Sequence, residues 1–381
     1  MQKKKEEEDK NKQKNEELLR QQEEKRLQYN DNVNYLNDFQ CQDICNLTDI
    51  KHISDEKFDL KRQTVAVYAI IRNNERFYEL ACPKKMTKGS SEYPGIVIYN
   101  ILSYHITNKI YKAHGSNENI DSLKHYYYSP SKKHFLLSSS NITIKLWNIS
   151  SKIITKEMEI AVGDYNNNQY SNNCLCSCLL FDKENYYICR GGQSYTNSTY
   201  KGTITIFNKN ENRKEISKSN LEQVDYIEAT YIKDKTYILL SGNYHSESYD
   251  YNNDSLKVYK PKEIGKNESN SINIFKKNEE IYLINGYNGG TVIIFDFFSE
   301  EEIYSIKLGD SYIYGLCSLN EKYFLVGHQE EIKIIDFDNK TIIENNRSFD
   351  NDKIRGIKKI KIPEKGELII GYTDTMIAFW K

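Results

Sequence analysis

The stretch YYYSPSKKHFLLSSSNITIKLWNIS, residues 126–150, decides the fold. It reads as a strand ending at a Ser-Pro turn, a second strand HFLLSS (134–139), a tight turn, and a third strand ITIKLW (142–147). Ile, Tyr, Phe, Leu and Thr between polar turns are the texture of short, half-buried antiparallel strands. The same texture extends outward on both sides. Upstream lies TVAVYAII (64–71), and downstream come TITIF (203–207), TYILLSG (236–242), IYLING (281–286), TVIIFDF (291–297) and YFLVG (323–327). No helix-length amphipathic period interrupts the run from Thr64 onward, which argues against an α/β fold with crossover helices. The expected class is all-β.

The strands also repeat. Aligned on the residue that closes each third strand, the anchors are Tyr99, Trp147, Phe207, Tyr259, Phe295, Ile335 and Trp380. Their spacings of 48, 60, 52, 36, 40 and 45 residues scatter around the roughly 40–45-residue period of four-stranded blades. The Ser-Pro turn, the Leu-Leu-Ser strand and the ending Ile144-Lys145-Leu146-Trp147-Asn148 resemble the WD-repeat family. The resemblance covers about residues 40–381 and is strongest at 126–150. It implies a seven-bladed β-propeller, in which each small sheet buries its faces against its neighbours. It also implies that a strand near 44–53 completes the last blade, whose third strand ends at Trp380, and so removes an open sheet edge. Within the second blade it implies a buried hydrogen-bond set of His114, Ser139 and Trp147. The family's turn aspartate is matched by Asp374 in the last blade and by Asn141 in the second. Only Trp147 and Trp380 keep the family's Trp, and only Asp296 and Asp336 keep the Asp that follows it.

Before this body, residues 1–35 form a charged segment. Its first 30 residues lack Gly and Pro, and Glu6–Lys10, Glu8–Lys12 and Glu16–Arg20 are spaced for i,i+4 pairs. A short charged helical arm is expected, with Leu18, Leu19 and Leu27 too sparse for a sustained coiled-coil seam. The chain has 381 residues and a net charge of −1, which gives no bulk electrostatic case for a nucleic-acid partner. No apolar run approaches the ~18–20 residues of a membrane span, and the charged start is unlike a signal peptide. A cytoplasmic protein with no membrane partner is expected. The 31 Tyr beside only 5 Pro resemble the codon bias of an AT-rich genome, and a source such as a ciliate or another protist is expected.

Catalytic and metal-binding patterns do not emerge. Eight Cys without paired CxxC couples read as free thiols, and Cys174, Cys176 and Cys178 share one face of a strand. The seven His are scattered, and no GxSxG, Walker-type or kinase signature is present. No metal, no cofactor and no enzymatic activity are expected. Three long connections remain, roughly Pro83–Pro94, Gly191–Lys201 and Gly242–Asp254, and a propeller places all three on one face beside Asp164–Asn173. That face would carry Tyr93, Tyr165, Tyr170, Tyr195, Tyr200, Tyr244, Tyr249 and Tyr251, with Lys84, Lys85, Lys88, Arg190 and Lys201. Tyr and Arg suit recognition because they bury large area yet keep a polar handle. The expected function is a non-catalytic scaffold binding protein partners there. A ubiquitin-ligase substrate receptor, a cytoskeletal or ciliary component, and an enzyme using the propeller channel are the alternatives.

Overall fold

Short strands with no helix between them can bury their faces only by stacking sheets, and the chain does so seven times. The computed structural model describes residues 49–54, 60, 64–88, 91–116, 118–162, 173–182, 185–196, 199–208, 213–216, 219–262, 268–349, 352–363 and 366–380. Among them are 28 strands, one 3-10 turn at Ser129–Ser131 and no α-helix. The expected helical arm at 1–35 lies outside the described residues.

The strands form seven four-stranded antiparallel sheets. Strand β1 is Asp49–Ser54. Blade 1 follows as β2 (Ala66–Arg72), β3 (Glu75–Lys88), β4 (Ser91–Asn100) and β5 (Ile106–Ile110). Blade 2 is β6 (Ser122–Tyr128), β7 (Lys133–Ser139), β8 (Thr143–Asn148) and β9 (Thr155–Ala161). Blade 3 is β10 (Asn173–Asp182), β11 (Asn185–Thr196), β12 (Thr199–Phe207) and β13 (Arg213–Ile216). Blade 4 is β14 (Val224–Ile232), β15 (Lys235–Gly242), β16 (Ser246–Asp250) and β17 (Ser255–Tyr259). Blade 5 is β18 (Ser269–Lys277), β19 (Glu280–Tyr287), β20 (Thr291–Asp296) and β21 (Glu302–Lys307). Blade 6 is β22 (Ile313–Ser318), β23 (Tyr323–His328), β24 (Glu331–Asp336) and β25 (Thr341–Ser348). Blade 7 is β26 (Gly356–Ile362), β27 (Gly366–Tyr372) and β28 (Met376–Trp380), completed by β1. The architecture is a seven-bladed propeller.

Burial follows position within the blade. Strands β19 and β20 are buried on both faces over most of their length, because each blade is sandwiched between two others. Outermost β21 instead alternates between partly buried and exposed residues along EIYSIK. The anchors Tyr99, Trp147, Phe207, Phe295, Ile335 and Trp380 lie at the ends of β4, β8, β12, β20, β24 and β28, and all are buried. Trp380 meets Phe349 edge-to-face at 5.1 Å. A Cβ at Gly371 would come within 2.7 Å of the Trp380 ring, so only glycine fits beneath it.

The fourth-blade anchor is corrected. Tyr259 ends the outer strand β17, whereas Tyr249 on β16 occupies the anchor position. Tyr249 faces Ile238 across the ladder as Trp147 faces Leu136. The spacings on either side become 42 residues (207 to 249) and 46 (249 to 295), close to the blade period. The span Gly242–Asp254 is consequently no long loop, since it contains the whole of β16.

The ring closes through β1, which pairs antiparallel with β28 from Asp49↔Trp380 to Ser54↔Met376. A chain beginning at Thr64 leaves β28 as a bare edge. It should aggregate or melt at least ~10 °C lower, a shift that a few kcal/mol produces in a domain of this size. Thermal unfolding and light scattering against a chain beginning at Asn30 check this.

Blades 1 and 2 share a buried aromatic stack. Tyr68 lies over His125 at 4.3 Å between ring centres, and His125 Nε2 is 3.1 Å from His134 Nδ1. Burial, with a smaller contribution from the Arg72 charge, lowers the pKa of His134 to about 4. Burial also holds His125 well below its usual range. Both rings are therefore neutral in the folded state, whereas the unfolded chain protonates them near pH 6.5. The unfolded state then binds more protons, so stability is complete above about pH 6.5 and is lost as pH falls toward 4. Urea midpoints at pH 7.5, 5.5 and 4.5 should show this decline. His134→Gln should flatten it by up to about 1.4 kcal/mol per pH unit, the slope of one proton.

Candidate functional site

Two hairpins stand out from the ring. The ladder between β3 and β4 runs for ten residue pairs, from Glu79↔Asn100 to Lys88↔Ser91. The ladder between β11 and β12 runs for nine, from Ile188↔Phe207 to Thr196↔Thr199. The second and third strands of the other blades pair over only four to six residues. The surplus projects both hairpins roughly 10–15 Å beyond the neighbouring blades at the usual rise per residue.

Their outer parts are two-stranded ribbons. Strand β2 pairs with β3 only as far as Ala81, and β5 pairs with β4 only over Ile96–Tyr99. Pro83 and Pro94 lie just beyond those limits, where a missing N–H costs no ladder bond to a third strand. Gly95 lets the ribbon close, because a Cβ there would strike Met86 Sδ at 2.4 Å and the Ile110 carbonyl oxygen at 2.9 Å. Between the two hairpins stands blade 2, whose own turn on that face is the short Ser140–Ile142. The result is a saddle with blade 2 as its floor.

A cavity of about 140 Å³ lies at the foot of the first hairpin, between Lys84, Lys85, Glu92 and Tyr93 on one side and Ser116 and Glu118 on the other. Lys112 Nζ sits 4.0 Å from the centre of the Tyr93 ring, a cation–π contact at the rim. The site is thus a charged and aromatic surface with cations and carboxylates in close alternation.

A buried hydrogen-bond chain fixes the floor. Trp147 Nε1 donates to Ser138 Oγ at 2.9 Å, and Ser138 Oγ is 2.9 Å from His114 Nε2. His114 Nδ1 is 2.7 Å from Thr143 Oγ1, which donates to Glu118 Oε2 at 2.7 Å. Ser140 Oγ also donates to that carboxylate, and the Gly115 N–H donates to its other oxygen at 2.9 Å. Burial pushes Glu118 up, but the hydrogen bonds from His114, Ser140, Thr143 and Gly115 outweigh it and hold the group ionised. Burial lowers the pKa of His114, which keeps its ring neutral. One direction of donation satisfies the chain from indole to carboxylate: His114 Nε2 accepts from the Ser138 hydroxyl, and Nδ1–H donates to Thr143 Oγ1.

This corrects the expected set in two places. Ser138, not Ser139, bonds the indole and the imidazole, and Ser139 Oγ is buried with no partner among the described residues. Asn141 is exposed, and the acidic role falls to Glu118 from the connection preceding the blade. Asp374 in blade 7 instead forms a bidentate pair with Arg355, at 2.6 and 2.8 Å.

The expected tyrosine patch divides. Tyr93 is partly buried on the first hairpin, and Tyr195 pairs with Tyr200 across the second. Tyr244 is 37% exposed on the same face, at the turn between β15 and β16. Tyr249 belongs to the core, because β16 carries it inward as the blade anchor. Tyr251 lies on the opposite face, where its N–H donates to the Thr236 carbonyl and its ring packs 6.4 Å from Tyr187. Arg190 is buried within β11 and is no surface residue. Tyr165 and Tyr170 lie outside the described residues. Sequence reasoning missed Glu118, Ser138 and Thr143. A glutamate in a loop carries no signal of its own, and the serines differ by one position in a run of three.

No protein-family model and no curated protein matches the chain. Among solved structures it is similar to that described as "Crystal structure of Chaetomium thermophilum Raptor", at a TM-score of 0.61 and 11% identity. The likeness covers 88% of this chain and 29% of that one, so the chain spans less than a third of the length of that protein. At this identity the likeness is one of fold.

Trp147→Ala should cost about 3–5 kcal/mol by opening a cavity and leaving Ser138 without its donor. Ser138→Ala should cost about 1–3 kcal/mol through the unmet indole and imidazole groups, while Ser139→Ala stays within about 0.5 kcal/mol. Denaturant unfolding of the three variants checks the register.

Proposed function

We propose that this chain is a non-catalytic scaffold that holds a protein segment in the saddle over blade 2, between the β3–β4 and β11–β12 hairpins. The observation that carries the reading is the paired lengthening of those two ladders, to ten and nine residue pairs, around a blade with a short turn. Cys82 and Met86 still pack into the core, but the two ladders run further than those that suffice in the other five blades. The surplus supplies two walls. Extended ribbons present backbone edges for strand pairing with a peptide, while alternate side chains supply specificity. Lys84, Lys85 and Lys112 around Tyr93 suit a segment with acidic and aromatic side chains.

The ring gives the walls a rigid base, and binding there requires little rearrangement of the blades, which favours affinity by preorganisation. Among the described residues no helix is long and apolar enough to cross a membrane. The reading assigns the protein to the cytoplasm.

The test begins with partners recovered by the full chain from native extract and identified by mass spectrometry. Replacing Tyr195 and Tyr200 together by Ser should weaken a recovered partner more than about tenfold, as loss of two aromatic anchors does. Lys84→Glu with Lys85→Glu should weaken the same partner although the two sites are far apart in sequence. Melting should move little, since surface changes stay within about 0.5 kcal/mol. Lys152→Glu with Lys156→Glu, on exposed positions of blade 2 away from this face, serves as control. If the control abolishes recovery while both hairpin variants retain it, the scaffold binds elsewhere.

A further inference from the structure

The propeller axis holds a second feature that the hairpin face does not use. All seven first strands wall a cavity of about 260 Å³, ample for a multi-atom ligand with several waters. The charged side chains Lys124, Glu228, Lys358 and Lys359 are among those that line it.

Lys124 from blade 2 is fully engaged. Its Nζ is 2.9 Å from Glu228 Oε2 of blade 4, donates to the Ile227 carbonyl, and lies 5.1 Å from the centre of the Tyr226 ring. Glu228 is engaged as well, since its other oxygen accepts from Tyr126 Oη at 3.3 Å. Lys359 is tied to Glu367 at 3.4 Å and to the Leu319 carbonyl at 2.6 Å.

Lys358 is the exception. It lines the cavity from blade 7 and has no hydrogen bond or ion pair among the described residues. The charges that act on it are those of Glu228 and Lys124, with a contribution from the Cys317 thiol. Burial lowers its pKa, and the field of Glu228 only partly opposes that effect. Counting Lys124, Lys358 and Glu228, the centre carries one cation more than its carboxylate can neutralise. An uncompensated cation in such a place is costly unless a counter-charge joins it. Asn273 lines the same cavity from blade 5, and its Oδ1 accepts from Ser318 Oγ at 2.6 Å.

We infer that the axial cavity is a binding site for a compact oxyanion of the phosphate type, held by Lys358 with Asn273 beside it. The anion supplies the charge that Glu228, already committed to Lys124 and Tyr126, does not.

The experiment is isothermal titration of the full chain with inorganic phosphate, against sodium chloride at matched ionic strength. Wild type should show saturable binding of phosphate and none of chloride. Lys358→Met should weaken phosphate binding at least tenfold, and Lys358→Arg should restore it. In phosphate-free buffer Lys358→Met should melt at or above wild type, because an unneutralised, half-buried cation has been removed. Glu228→Gln, which frees Lys124 to face the anion, should bind several-fold more tightly. The inference is overturned if wild type shows no saturable phosphate binding above the chloride control. It is equally overturned if Lys358→Met binds as well as wild type, or if Glu228→Gln, still folded, binds more weakly. None of these outcomes bears on the hairpin face, which lies outside the axial cavity.

Discussion

The ladder between β1 and β28 is the constraint on which the ring depends. A propeller blade is stable only when both its faces are covered, and coverage all the way round requires that the first and last blades meet. Here the meeting is made by backbone hydrogen bonds between residues more than 300 positions apart, from Asp49↔Trp380 to Ser54↔Met376. Blade 7 is built of three strands from one end of the chain and one from the other. That arrangement makes closure a contact of long sequence separation, which carries a loop-closure cost. The packing of Trp380 on Phe349, the position of Gly371 and the axial cavity all follow from the closed ring.

Most of the architecture was legible because apolar strands and polar turns alternate with a recurring period. The failure in blade 4 has a physical cause. Its third strand reads Ser246-Glu247-Ser248-Tyr249-Asp250, a polar sequence that looks like a loop, yet all five residues are buried. Glu247 accepts from Ser219 Oγ at 2.7 Å and from the Asn220 N–H at 2.8 Å, and His245 Nε2 lies 3.1 Å away. Ser248 Oγ meets Tyr259 Oη at 3.0 Å, and Ser246 Oγ meets Ser269 Oγ at 3.1 Å. Ser219, Asn220, Tyr259 and Ser269 all come from other segments, so burial of these groups cannot be read from local pattern. The outer strand Leu256-Lys257-Val258-Tyr259, by contrast, imitates the ending of β8 and drew the anchor to itself.

The candidate site was legible only in outline. Long connections on one face were visible, but not that two of them are continuous ribbons, since Pro83, Pro94 and the Gly pair at 191–192 look like breakers. A single-position slip in blade 2 exchanged Ser138 for Ser139, which reverses the face of a strand residue. Lys358 sits in GIKKIKI, where two adjacent lysines with opposite orientations and opposite fates are indistinguishable by type.

The direction of the closing strands also determines how the molecule can be tethered. Strand β28 runs from Met376 on the hairpin face to Trp380 on the other, and β1 lies antiparallel to it. The chain therefore enters at Asp49 and leaves at Trp380 through the same underside, away from the saddle. Cargo or an anchoring surface joined through either point would sit beneath the ring, with the two ribbons pointing outward. A group joined at Asp49 or Trp380 thus leaves the upper face free.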